Sequence, residues 1–70
     1  MAEQVYKLVE LVGTSQDSMS DAIDNAIERA ASTLRSLSWF EVTQMRGSIE
    51  DGTIKSYQVT LKAGFMLEDD

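Results

Sequence analysis

Apolar residues recur along this chain with two different periods. Val5, Tyr6, Leu8, Val9, Leu11 and Val12 make a strand-type run over residues 5–12, interrupted only by Lys7 and Glu10. Both faces of that strand are apolar, so the pattern predicts a helix over one face and another subunit over the other. Gly13-Thr14-Ser15-Gln16-Asp17 carries turn chemistry and is expected to end the strand. Ser18 suits an N-cap, with Asp21 three residues later as a capping-box acid. Met19, Ile23, Ala26, Ile27, Ala30, Leu34 and Leu37 then follow at spacings of three and four, which predicts an amphipathic helix over about residues 18–37. Its acids gather in the first half and Arg29 and Arg35 in the second, in the sense the macrodipole favours.

A second strand is expected over residues 39–50. Phe40 and Val42 share one face, while Ile49 falls on the opposite parity. One extra residue near Gln44-Met45 would repair the alternation, so a β-bulge is predicted there, with Arg46 and Ser48 moved onto the side of Trp39. Asp51-Gly52 marks a tight hairpin. The third strand, over residues 54–67, alternates cleanly: Tyr57, Val59, Leu61, Ala63, Phe65 and Leu67 against Ser56, Gln58, Thr60, Lys62, Gly64 and Met66. Met1 to Gln4 reads as a loosely held start and Glu68-Asp69-Asp70 as a solubilising acidic end. The element order gives an α+β fold, β-α-β-β, with an antiparallel three-stranded sheet in the order 1-3-2 and one helix on one face. The other face presents Trp39, Gln58 and Thr60 with nothing left in the chain to cover it, and such a face is an assembly or binding surface.

Composition narrows the function. Seventy residues make a single domain with a small core, and without cysteine no disulfide can staple it, so oligomerisation is the remaining route to stability. Histidine is absent as well, which removes the commonest general base and zinc ligand; no metal site is expected. Twelve acids against six bases give a net charge of −6, which argues against a nucleic-acid partner. No apolar run approaches the ~20 residues of a membrane span and no signal-peptide pattern opens the chain, so no membrane partner is expected and a cytoplasmic protein is the default. Glycine-rich phosphate loops and the Gly-x-Ser-x-Gly nucleophile motif are both missing, and no catalytic residue can be named.

Three residues on one predicted face combine usefully. Trp39 offers a stacking plane, Gln58 an amide donor and acceptor, and Arg46 a positive charge. A planar heterocycle with an imide-like edge would suit the set. A lone strand tryptophan is more often core or interface packing, a strand glutamine such as Gln58 is usually solvated, and Arg46 is equally read as a surface ion pair. The residues alone do not name the ligand.

Several stretches together resemble the dodecin family: Val9-Glu10-Leu11-Val12-Gly13-Thr14-Ser15, Ser38-Trp39-Phe40-Glu41-Val42, Arg46-Gly47, Tyr57-Gln58-Val59 and Gly64-Phe65-Met66-Leu67-Glu68. The likeness spans nearly the whole chain. It implies a small flavin-binding protein of β-α-β-β fold that forms a hollow homododecamer. Two flavins would stack in one pocket between tryptophans of symmetry-related subunits, Trp39 matching that tryptophan. Gln58 matches the glutamine that bonds the pyrimidine edge of the isoalloxazine, and Arg46 an arginine near the flavin. Met66 stands where bacterial members often carry a second arginine, which leaves open whether flavin mononucleotide (FMN) or riboflavin is preferred. Some bacterial members also hold coenzyme A near threefold axes, for which Lys7 and Arg29 are the positions to watch. The resemblance implies non-catalytic flavin storage, sequestration and photoprotection. A flavin-dependent oxidoreductase and a purely structural oligomer are the alternatives.

Overall fold

In the computed structural model, which describes residues 3–67, the chain runs β1 (Tyr6–Ser15), α1 (Met19–Ala31), β2 (Leu37–Glu50) and β3 (Thr53–Met66). The acidic end Glu68-Asp69-Asp70 lies outside the described residues, as do the first two residues of the expected loose start. All three strands are antiparallel neighbours in the order β1-β3-β2, the expected α+β topology. The helix is too short to cross a membrane, and no described helix is long and apolar enough to do so.

The core lies where α1 crosses β1 and β3. Ala22, Ala26 and Ala30 of the helix are buried, with Val59, Leu61 and Ala63 of β3 beneath. Small residues let the helix backbone come close to the sheet, and Gly13 sets the limit. A Cβ on Gly13 would lie 2.9 Å from the Ala26 Cβ and closer still to the Ala22 carbonyl oxygen.

Three expectations need correction. The helix ends at Ala31 rather than Leu37, with Ser32 as its C-cap. Ser32 Oγ donates to the Arg29 carbonyl (2.6 Å) and Thr33 Oγ1 to that of Ala30 (3.4 Å). Short hydroxyl side chains compete with the helical backbone in this way. Leu34 and Leu37 continue the apolar spacing beyond the end of the helix, and Leu37 opens β2 two residues earlier than the pattern implied. Ser36 sits between them with a positive φ of 63°.

Second, Gly13-Thr14-Ser15 is strand, not turn. These residues pair with Val59, Gln58 and Tyr57 of β3. Ser15 is buried, and its Oγ donates to an Asp21 carboxylate oxygen at 2.8 Å while accepting from the Asp17 amide at 2.9 Å. The Ser18 cap forms as expected, its side chain accepting from the Asp21 amide at 3.0 Å. The reciprocal half of the box is replaced: the Asp21 carboxylate is occupied by Ser15, and the Ser18 amide also turns to Ser15 Oγ.

Third, the bulge centres on Thr43, just before the predicted place. Val42 faces Leu61 and Gln44 faces Thr60, leaving Thr43 outside the register, and its Oγ1 donates to the Thr60 carbonyl. Two further shifts, between Leu37 and Trp39 and between Ser48 and Ile49, were not foreseen. The consequence drawn for the faces holds: Arg46 pairs with Gln58 and Ser48 with Ser56, on the side of the sheet where Trp39 pairs with Gly64. Ile49 does not join the core. It is 76% exposed beside Ile54 at 62%, on a hairpin that runs past the helix.

That hairpin makes the subunit elongated, 57 × 20 × 13 Å, with a radius of gyration of 14.8 Å against ~11 Å for a compact chain of this length. Its accessible surface of 5311 Å² likewise exceeds the ~4,400 Å² usual for this mass. Phe40, Met45 and Ile49 on the helix side of β2 are exposed, and so are Tyr6, Leu8, Val12 and Trp39 on the opposite face. Val59 and Leu61 are the only large side chains fully buried among the described residues. So thin a core leaves much apolar surface open on both faces of the sheet.

Candidate functional site

Trp39 lies on the helix-free face, 44% exposed. The pairing of Trp39 with Gly64 explains its posture. A Cβ on Gly64 would stand 2.6 Å from Trp39 Cζ2 and 2.9 Å from Nε1, so the indole lies down over a residue with no side chain. Gly64 is buried by that cover. A glycine within a strand marks close approach of another group, so Gly64, isolated in a clean alternation, is the signal from which the contact could have been read, though the sequence reading did not draw it. Tyr6 stands beside the indole, its ring centre 6.3 Å away and tilted by 58°. One face of the indole therefore rests on the sheet and the other is offered outward. Replacing Gly64 with alanine is expected to lift the ring off the sheet, seen as a red shift and altered intensity of the single tryptophan's emission. An unchanged spectrum would show that the ring does not rest there.

Met66 pairs with Tyr6 at the same end of the sheet, next to the Trp39–Gly64 pair along β3. Arg46 and Gln58 form a second group toward the hairpin. Arg46 Nε donates to Gln58 Oε1 at 2.9 Å, a bond the sequence did not reveal. Ser48 and Ser56 hydroxyls meet at 2.7 Å one step further along. From Gly64 to Gln58 is six strand positions, about 20 Å at a rise of ~3.3 Å per residue. The residues expected in one site thus share a face but form two clusters, Trp39 with Tyr6 and Met66 at one end and Arg46 with Gln58 at the other.

Lys7 and Arg29 lie on the helix side. Lys7 pairs with Phe65, whereas Arg29 lines an open groove of about 550 Å³ between β1 and α1 with Leu11, Val12, Asn25 and Ser32. Lys7 does not line it, so one subunit does not gather the two. Among the described residues no three His, Cys, Asp or Glu side chains come together as a metal site.

The chain matches the family model described as Dodecin over residues 5–68. It is 53% identical over 66 residues to the dodecin of Thermus thermophilus, covering 94% of this chain and 96% of that one. The solved dodecin of Streptomyces coelicolor is also 53% identical, with a TM-score of 0.92 and full coverage of both chains. More distant is the calcium dodecin of Mycobacterium tuberculosis, a calcium-chelating antigen with a calcium-binding site, at 25% identity and a TM-score of 0.79 over 94% of each chain. Matched through nearly its whole length in sequence and in fold, this chain belongs to the dodecin family.

Proposed function

We propose that this protein binds flavin and stores it without turning it over, as a cytoplasmic homododecamer in which paired flavins stack between Trp39 side chains of neighbouring copies. The observation that carries the reading is the outward face of an indole laid flat over Gly64 on the uncovered side of the sheet. A flat aromatic guest gains stacking and apolar burial there. Gln58, with its amide held by Arg46, is the group to read the imide edge of the isoalloxazine. The two clusters stand farther apart than a tricyclic ring can reach, so a flavin touching both an indole and a Gln58 amide takes them from different copies. The exposed apolar surface on both faces supports the same assembly.

Storage follows from the geometry of such a pocket. A flavin between an indole and a second flavin has no free face for a substrate to approach. The electron-rich indole also quenches the excited flavin by electron transfer, which suppresses its photochemistry. Titrating the protein with riboflavin should extinguish flavin emission and saturate at one flavin per chain, since each Trp39 covers one ring. Emission that persists at saturating protein would overturn the reading. Rapid, flavin-dependent oxidation of a reduced nicotinamide would favour the oxidoreductase alternative.

Met66 bears on the choice of flavin. Methionine cannot hold a phosphate, so binding here rests on the ring system, and riboflavin and FMN should bind with similar affinity. Met66→Arg is expected to favour FMN about tenfold in paired titrations, and equal preference in that variant would place the phosphate elsewhere. Coenzyme A is a secondary expectation, with Arg29 in the β1–α1 groove as its charged contact and Lys7 outside that groove. Calcium, bound by the mycobacterial relative, finds no cluster of ligands among the described residues of one subunit.

A further inference from the structure

Arg46 lies on the helix-free face opposite Gln58, where it was expected to supply positive charge near the ligand. Its geometry indicates another. We infer that Arg46 is a positioning residue: it fixes the orientation of the Gln58 amide, and with it the order in which donor and acceptor are offered to the ligand. This rests on the flavin reading above and refines it.

The assignment is chemically forced. Guanidinium has donors only, so the amide atom 2.9 Å from Arg46 Nε is the oxygen of Gln58. The Gln58 Nε2 group then points away with both its N–H bonds unused by Arg46, and Oε1 keeps one lone pair. A free glutamine amide on an exposed strand samples several χ3 orientations, and a ligand would have to select one. Here that choice is made before binding, and preorganisation of this kind raises affinity by removing an ordering cost. Donation by a charged group also polarises the amide, which strengthens the bonds Nε2 gives.

The surroundings support the role. Gln58 is half-buried on the central strand, flanked by Arg46 on β2 and by Thr14 on β1 in direct register. Register sets Arg46 opposite Gln58 only because Thr43 bulges out of β2; without the bulge Arg46 would point to the helix side. Among the described residues no carboxylate pairs with Arg46 to draw the guanidinium off the amide. The edge that results presents an N–H donor beside a carbonyl acceptor. Its complement is a carbonyl next to an N–H, as in the imide of an isoalloxazine. A phosphate or other anion has no use for that order.

The test compares riboflavin, which carries no phosphate, with FMN, on the assembled wild type, Arg46→Ala, Gln58→Ala and the double variant. If Arg46 acts through Gln58, Arg46→Ala weakens both ligands by the same factor, about tenfold. Adding it to Gln58→Ala then weakens neither further, because the group it positions is gone. Loss confined to FMN, with riboflavin unchanged, would overturn the inference and leave the flavin reading standing, and so would full additivity in the double variant. Failure of the wild type to bind riboflavin would instead remove the flavin reading itself. Arg46→Met, which keeps the apolar stem, is the second variant if alanine alters the assembly by size-exclusion chromatography; the same equal loss is expected, and an FMN-only loss is again the contrary result.

Discussion

Trp39→Ala should weaken flavin binding by roughly thirty- to a hundred-and-fifty-fold and restore emission to whatever flavin stays bound. The indole is 44% exposed, about 110 Å² of the ~250 Å² such a ring presents. A flat guest covers about half of that, worth ~1.4 kcal/mol at ~25 cal/mol/Å². Stacking adds ~0.5–1.5 kcal/mol beyond area, for a total of about 2–3 kcal/mol. The loss of quenching is the more specific readout, because it requires the electron donor and not merely a filled pocket. Trp39→Phe should separate the two effects, keeping much of the affinity while giving back emission. Equal affinity and equal quenching in the alanine variant would mean that this indole packs an interface and touches no flavin.

Gly13→Ala carries the largest expected effect on stability. The added methyl would fall on the Ala22 carbonyl and on the Ala26 Cβ, atoms of the helix that covers the core. A side chain could rotate aside, but a helical carbonyl cannot, so α1 must lift as a body. Overpacking of this sort costs ~1–3 kcal/mol, and here it also loosens Val59 and Leu61, which are fully buried. At ~4–8 °C per kcal/mol for a chain of this size, the thermal midpoint should fall by roughly 4–24 °C. The comparison needs equal protein concentrations, since assembly adds to apparent stability. An unaltered midpoint would show that the helix does not seat on Gly13.

The same glycine shows where the sequence was misleading. Gly13-Thr14-Ser15 has the composition of a turn, yet the strand continues through it because the helix needs a residue without a side chain at the crossing. Local propensity gave way to packing. The helix end failed in the opposite sense: Leu34 and Leu37 kept the helical period, while the Ser32 and Thr33 hydroxyls took over the last carbonyls. The topology was legible because β3 alternates without a break and Asp51-Gly52 leaves one way to join it to β2. The bulge was legible because Phe40, Val42 and Ile49 could not share a parity, although Ile49 proved to lie beyond the helix.

Of the candidate site, the face was readable and the distances along it were not. Alternation places Trp39, Arg46 and Gln58 on one side, but only the register reveals that six strand positions separate Gly64 beneath the indole from Gln58. If the proposed flavin site is right, that separation makes it a matter of assembly, each copy contributing to two different pockets.

Native mass spectrometry of the protein after incubation with riboflavin tests this most directly. The expected species is twelve 7.8 kDa chains carrying one flavin each, with no flavin on any free subunit. A lone subunit holding its own flavin, or an assembly that remains empty beside excess riboflavin, would contradict it.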